Sequence, residues 1–381
     1  MNPRFVVIIA VLLLVFGLIN YYVGWHGALW LESALHIHPG PIYWICFWII
    51  AFSYLLGRLG SRFLPRSAAN FLKLIGAYWL AIMFFAFVML PFADLAAGIM
   101  ALLRVPSSTY IPVLGMVVAF LIALLMLRGS WNARNPVIRR YEATIAKSAG
   151  ERKKLRIAVA SDLHLGSIVG NKQLQLLVDR INALEPDLIL LPGDVIDDDI
   201  EPFISRRMGS VMQQLRSRLG IYAVLGNHEY IGGHIRQFTE QMNEIGIDVL
   251  LDRSVLLEDS FYVIGRKDKA VERFGSQGRL ELEPLLADVD KSRPLILMDH
   301  QPYGLDKAES AGIDVMLSGH THRGQMAPNH FITRRLFELD WGFLKKGALH
   351  AVVSSGYGTW GPPVRIGSRS EIVELTLHFE G

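Results

Sequence analysis

Apolar positions fall into two regimes along this chain. Before Arg128 they form four long runs, Phe5 to Val23, Ile42 to Gly57, Ile75 to Pro91 and Ile111 to Leu127, each at or near the length that crosses a bilayer as a helix. After Lys154 the runs shorten and are bounded by Gly, Pro or polar residues: Ile157-Ala158-Val159-Ala160, Leu188-Ile189-Leu190-Leu191, Ile221-Tyr222-Ala223-Val224-Leu225, Pro294-Leu295-Ile296-Leu297-Met298 and Ile313-Asp314-Val315-Met316-Leu317. Short continuous runs of this kind predict strands covered on both faces. Between them Leu174, Leu177, Val178, Ile181 and Leu184 recur at helical spacing over Gln173 to Leu184, and a second helix is predicted over Phe203 to Leu219. The pattern predicts an all-α transmembrane domain over 1–128, a linker over 129–154 and an α/β domain over 155–381.

The second apolar run is short, but Tyr43, Trp44, Trp48 and Tyr54 are residue types that favour a membrane interface. Asn2-Pro3-Arg4 ahead of the first run has the charge of a secretory leader. No small-x-small site follows, only Tyr21-Tyr22-Val23-Gly24-Trp25, so a retained helix is expected. Asp94, past Pro91, reads as a cap at the interface. Composition agrees with the division: 51% of residues are hydrophobic, mean hydropathy is +0.32, and the excess is concentrated before Arg128.

Charge then sets orientation. The segment Gly24 to Pro41 has no Lys or Arg, the next loop carries Arg58, Arg62 and Arg66, and the third only Arg104. After the fourth run come Arg128, Arg134, Arg139 and Arg140, so the positive-inside rule predicts a multi-pass protein of a bacterial inner membrane with both termini and the α/β domain in the cytoplasm. Residues 1–128 hold seven basic and two acidic side chains, leaving 31 and 33 beyond, so the formal +3 of the whole chain comes from membrane-flanking arginines. That balance gives no support for nucleic-acid binding. The one cysteine, Cys46, lies in the second run and excludes a disulfide within the chain. The linker is basic, reads as a juxtamembrane connector, and is expected to hold an edge strand around Tyr141 to Ala146. His330 to Lys346 mixes Phe331, Leu336, Phe337, Leu339, Trp341, Phe343 and Leu344 with Arg334, Arg335, Lys345 and Lys346. It suits either a surface that touches lipid or a cap on the sheet.

Candidate chemistry lies just past the short apolar runs. Asp162-Leu163-His164, Gly193-Asp194-Val195-Ile196-Asp197, Gly226-Asn227-His228-Glu229, Asp299-His300 and Gly319-His320-Thr321-His322 follow one another in order and take up five of the 12 histidines. One such motif alone is usually a turn or a cap. Five at strand ends, where open α/β sheets carry their sites, assemble carboxylate oxygens and imidazole nitrogens of the kind that hold two divalent ions for phosphate-ester hydrolysis.

These motifs resemble the calcineurin-like metallophosphoesterase superfamily, whose pattern is Asp-x-His, Gly-Asp-x-x-Asp, Gly-Asn-His-Asp/Glu, His and Gly-His-x-His, over about Leu155 to Leu377. The resemblance implies a four-layer αββα sandwich. It also implies one metal on Asp162, His164, Asp194 and His322 and a second on Asp194, Asn227, His300 and His320, with a bridging hydroxide as nucleophile. His228 would be a non-ligand that donates toward the leaving oxygen, and Asp197 would orient it. Manganese is the first expectation for the metals, with iron or zinc as alternatives.

The stretch Val353 to Arg365 followed by Glu371-Ile372-Val373-Glu374-Leu375 looks like a membrane-associated bacterial branch, which reads Gly-His-Thr-His-Gly-Gly-Gln where this chain has Arg323 in place of the first of those late glycines. Arg323 would either grip a second phosphate or pair with a surface acid. Asp198 stands where protein Ser/Thr phosphatases of the superfamily have Arg, which argues against a phosphoprotein substrate.

The expected function is hydrolysis of a phosphodiester or pyrophosphate, with a membrane lipid or lipid-linked phosphate as the substrate partner. An anchored phosphodiesterase for a soluble substrate, and a transporter or sensor with a regulatory metal domain, are the alternatives. Oligomeric state is not readable from this sequence.

Overall fold

The computed structural model describes residues 3–60, 63–275 and 278–380. Arg62, one of the loop charges used above, lies outside them. The chain divides into two compact units, one of residues 1–129 with 361–364 and one of residues 130–360 with 365–381.

The first unit is helical. It comprises α1 (Pro3–Leu35), α2 (Pro41–Ala51), α3 (Ser53–Leu59), α4 (Arg66–Leu102) and, as far as Gly129, α5 (Ser107–Arg134). Three of these helices are long and apolar enough to cross a membrane, and α2 with α3, bent by 56° at a short break, make a fourth if taken as one broken span. Asp94 lies inside α4 and not beyond its end, because the helix continues through Pro91. Neighbouring helices can re-satisfy the backbone group that such a proline frees. Asp94 accepts hydrogen bonds from the Tyr22 hydroxyl and from His26 Nε2, the latter at 2.7 Å.

The second unit holds two six-stranded sheets. The first runs β1 (Val137–Ile145), β12 (Glu371–Phe379), β2 (Lys154–Val159), β3 (Leu188–Pro192), β4 (Ile221–Val224), β5 (Ile247–Val249). The second runs β10 (Gly342–Lys346), β11 (Leu349–Val353), β9 (Val315–Ser318), β8 (Leu295–Met298), β7 (Phe261–Gly265), β6 (Arg253–Leu257). β2, β3, β4 and β5 pair in parallel, as do β7, β8 and β9, so their carboxyl ends point the same way within each sheet.

Continuous apolar runs are what these strands require, because both faces are covered. Ile157, Leu188, Leu190, Ile296, Met298, Val315 and Leu317 pack between the sheets. Ala158, Ile189 and Leu191, from the opposite pleat, pack against the inward stripe Leu174, Leu177, Val178 and Ile181 of α6 (Asn171–Asn182). Leu295, Leu297 and Met316 meet a third core with Leu305 and Ala308. Helix, sheet, sheet and helix make the four layers that the resemblance implied.

Two segments differ from the sequence reading. The helix expected over Phe203 to Leu219 is instead two short helices, Glu201–Ser205 and Met208–Met212. They part at Arg207, whose φ of 51° is left-handed and cannot continue an α-helix. Within the basic linker, β1 starts at Val137 and pairs in parallel with the whole of β12 as an edge strand.

Candidate metal centre

Three of the five motifs, those of Asp162, Asp194 and His320, leave the end of a strand in a tight, strained turn. Asp162, His164, Asp194, His320 and His322 all have positive φ, from 46° to 70°. Non-glycine residues seldom adopt this conformation, and it persists where the surroundings over-determine it. Here the turns brace one another: Asp162 N–H donates to Gly193 O and His164 N–H to Asp194 O, both at 3.0 Å. The carboxylates add cross-ties, with Asp194 Oδ1 accepting from His228 N–H at 2.9 Å and Asp162 Oδ1 from His320 N–H at 2.8 Å.

Glu229 joins two loops from below. Its buried carboxylate accepts from the backbone N–H groups of Gly226 at 2.7 Å, Ile196 at 3.0 Å and Asp194 at 3.2 Å. Burial and the neighbouring Asp194 push its carboxyl up to about 7.

Two glycines are required by close approach. A Cβ on Gly226 would overlap Asp194 Oδ1, and one on Gly319 would overlap Asp162 Oδ2. Gly319→Ala is therefore expected to displace the Asp162 carboxylate and to lower stability by about 1–3 kcal/mol through overpacking. Thermal unfolding of the variant checks this, and an unchanged midpoint would show that the turn relaxes freely.

The turns bring the sequence-predicted residues together. His164 Nε2 faces His322 Nε2 at 3.0 Å, His322 Nε2 lies 3.6 Å from Asp162 Oδ1, and His164 Nε2 lies 3.9 Å from Asp194 Oδ2. On the other side of Asp194 Oδ2, His300 Nε2 is 3.1 Å away. Asn227 Oδ1 is 3.3 Å from His300 Nε2 and 2.8 Å from His320 Nδ1. Asp162–His164–His322 and Asp194–His300–His320 each form a group able to hold a metal ion, and His164–Asp194–His228 connects them.

The residues fit divalent cations. Donors about 2.1 Å from a common ion stand roughly 3–4 Å from one another, the spacing seen throughout this cluster. Two imidazole nitrogens facing each other at 3.0 Å cannot both carry a proton, and Asp162 Oδ2 is buried with no hydrogen-bond partner. Burial, with His164 and Arg365 nearby, holds His322 well below the ordinary imidazole range, and burial with His300 lowers His320. Both rings thus favour the neutral form that ligands need, whereas against burial the Asp194 carboxylate holds His300 well above the ordinary range. Burial alone would raise Asp194, but His300, His228 and His164 hold its carboxyl well below the ordinary range.

His228 stands beside this cluster, its ring 4.7 Å from that of His164. The carboxylate that orients it differs from expectation: Nδ1 bonds Asp198 Oδ1 at 2.7 Å, whereas Asp197 Oδ1 is 3.4 Å from it and 3.8 Å from His164 Nδ1. Asp197 therefore sits between two imidazoles, and Asp198 makes the short bond. Burial works against the imidazolium, yet Asp197, Asp198 and Asp194 carry His228 up to about 11. Arg323 lies with its guanidinium over the Trp341 ring, 4.0 Å from the centroid, and forms no ion pair with an acid among the described residues.

Sequence reasoning missed four supports. Asp198 is one of three consecutive aspartates that spacing cannot rank. Glu229 had a readable signal, a glutamate at the third position of the helix Asn227–Gly232 that reaches back to the Gly226 N–H, the half of a capping box that a glycine N-cap allows. Arg365, fully buried, donates to Gly358 O at 2.6 Å and Gly356 O at 3.1 Å and has Nη2 3.2 Å from His322 Nδ1. Arg279 donates to the buried Asp299, next to His300, with Arg266 at 3.4 Å.

Comparison with known proteins matches the segment that carries the cluster from Asp162 to His322. Residues 155–324 match the family model described as calcineurin-like phosphoesterase. Over 266 residues the chain is 30% identical to a "Transmembrane protein with metallophosphoesterase domain" of Danio rerio, covering 67% of this chain and 60% of that one. It is 33% identical over 231 residues to an "Uncharacterized metallophosphoesterase" of Helicobacter pylori, covering 59% of this chain and 60% of that one. One from Aquifex aeolicus is 29% identical over 230 residues, covering 60% of this chain and 87% of that one. The chain spans about three fifths of the length of the first two of these relatives. Through its residues 155–324, the chain belongs to the calcineurin-like phosphoesterase family.

Proposed function

We propose that the protein is a membrane-anchored, dinuclear-metal phosphoesterase that cleaves a phosphodiester or pyrophosphate bond of a lipid-linked substrate. The observation that carries this reading is Asp194, whose Oδ2 lies between the His164 side and the His300 side of the cluster at 3.9 and 3.1 Å. Asp162, His164, Asp194 and His322 would hold one ion and Asp194, Asn227, His300 and His320 the other. When bound, such a pair neutralises phosphoryl charge and activates water as the nucleophile. Manganese suits the mixed oxygen and nitrogen donors, with iron or zinc as alternatives.

The chain's own residues do the rest. Asp198 holds His228 by Nδ1, leaving Nε2 to donate to the leaving oxygen. Asp197 and Asp198 keep that ring charged, and Asp197 also restrains His164. His228 is thereby a general acid whose proton is already in place when the ester bond breaks.

The lipid-linked substrate is inferred from the anchoring and from one surface. Helix His330–Leu336 buries none of its side chains and leaves Phe331, Ile332 and Leu336 about 60% exposed beside Arg334 and Arg335. Apolar tips with basic neighbours suit contact with anionic headgroups. Full-length protein supplied with Mn²⁺ is expected to hydrolyse lipid-linked diesters or pyrophosphates faster than water-soluble analogues with the same reacting bond. Equal rates on both would favour the anchored soluble-substrate phosphodiesterase.

The arginine asymmetry supports a cytoplasmic position for the catalytic domain in a bacterium. A reporter active only outside the inner membrane is expected to be silent when fused after Gly381 and active when inserted near His36. Activity of the terminal fusion would move the domain, and its substrate, to the outer face.

A further inference from the structure

The loop after β11 is buried almost throughout, with Tyr357 and Thr359 inside, until Trp360, which is 61% exposed. That exposure is not looseness. Trp360 N–H donates to Gln325 Oε1 at 2.9 Å, and Gln325 Nε2 donates back to Trp360 O at 3.0 Å, so one side chain holds both polar groups of the Trp360 backbone. Gln325 is itself buried and closes the turn that begins at His322.

The same loop is tied to the other side of the cluster. Tyr357 N–H donates to Ser161 O at 2.9 Å and Gly358 N–H to Asp162 O at 2.7 Å, while Arg365 binds the carbonyls of Gly356 and Gly358. A large indole is thus fixed from two strand-end turns of the cluster and left out of the core. Its ring lies 6.4 Å from that of His228, with the planes 65° apart.

We propose that Trp360 is a platform for the leaving group: the part of the substrate attached to the oxygen that His228 protonates leans on the open indole face, selecting leaving groups with a planar or apolar surface next to the ester oxygen over small polar ones. This rests on the phosphoesterase reading above. The direction follows from His228, because whatever is bonded to the oxygen it protonates must pass beside it, and Trp360 is the exposed aromatic side chain in ring contact with His228 among the described residues. The centroid separation is already a contact distance, so the two rings leave no room for a group between them. The substrate uses the solvent-facing side of the indole.

Bis(p-nitrophenyl) phosphate tests this with full-length, Mn²⁺-supplied protein, because its leaving group is flat and needs little protonation. Trp360→Ala is expected to raise KM roughly three- to tenfold with a smaller change in kcat, the size of an aromatic contact, and Trp360→Phe to stay within about twofold of wild type. Inorganic phosphate, which occupies the phosphoryl position and has no leaving group, should inhibit Trp360→Ala and wild type with the same Ki. An unchanged KM in Trp360→Ala, as for a tryptophan that only meets lipid, overturns the proposal. So does a phosphate Ki that rises in step with KM, because the residue would then act on the metal cluster itself. Wild-type protein that turns over no aryl phosphate ester contradicts the phosphoesterase reading and the proposal with it.

Discussion

Asp194→Asn should cost the protein both its metals and its turnover. An amide at this position offers one neutral oxygen where the carboxylate offers two charged ones, and Asp194 is the residue assigned to both ions. Its Oδ1 also receives the His228 N–H, so the substitution loosens the turn that carries the acid. Loss of the bridge would raise the pKa of the activated water, because each cation would act on it alone. The deficit should exceed that of Asn227→Ala, which removes a donor from one side only. Metal content by elemental analysis, measured beside turnover, checks this: a variant that keeps both metals and near-normal turnover would falsify the bridging assignment.

Replacing His228 should have the opposite signature. His228→Gln is expected to preserve metal content and lower turnover about 10²–10⁴-fold, the usual size of a general-acid contribution. The loss should shrink on esters with good leaving groups, which depart without a proton. Asp198→Asn should reproduce part of that loss, since Asp198 makes the 2.7 Å bond to Nδ1, and should do so more strongly than Asp197→Asn, whose carboxylate is 3.4 Å away. Equal losses on good and poor leaving groups would make His228 a positioning group for the phosphoryl oxygens.

The larger architecture was legible because burial on both faces leaves a plain trace. Leu188 to Leu191 and Pro294 to Met298 can hardly be anything but inner strands, and β3 and β8 lie there with every residue buried. The grouping of the candidate donors was legible for a related reason: they sit next to those strands, so strand order alone brings Asp162, Asp194 and Asn227 to one end of a sheet.

What escaped depends on side-chain direction or on single dihedrals. Asp197 and Asp198 differ by one position, and only the turn geometry decides which carboxylate reaches His228. The break at Arg207 is a single left-handed residue inside an otherwise helical pattern. Asp94 was read as lying past the end of a span because Pro91 precedes it, whereas α4 carries on through that proline. Arg323 stacks on Trp341, a partner 18 positions away that no local pattern announces.

The most direct test is a count of metal against rate. Full-length protein stripped by a chelator and returned to Mn²⁺ in steps is expected to recover hydrolysis only as bound metal approaches about two equivalents per chain, with rate and second-site filling rising together. Full hydrolysis at about one bound equivalent, or hydrolysis that survives the chelator, would contradict a dinuclear centre shared through Asp194.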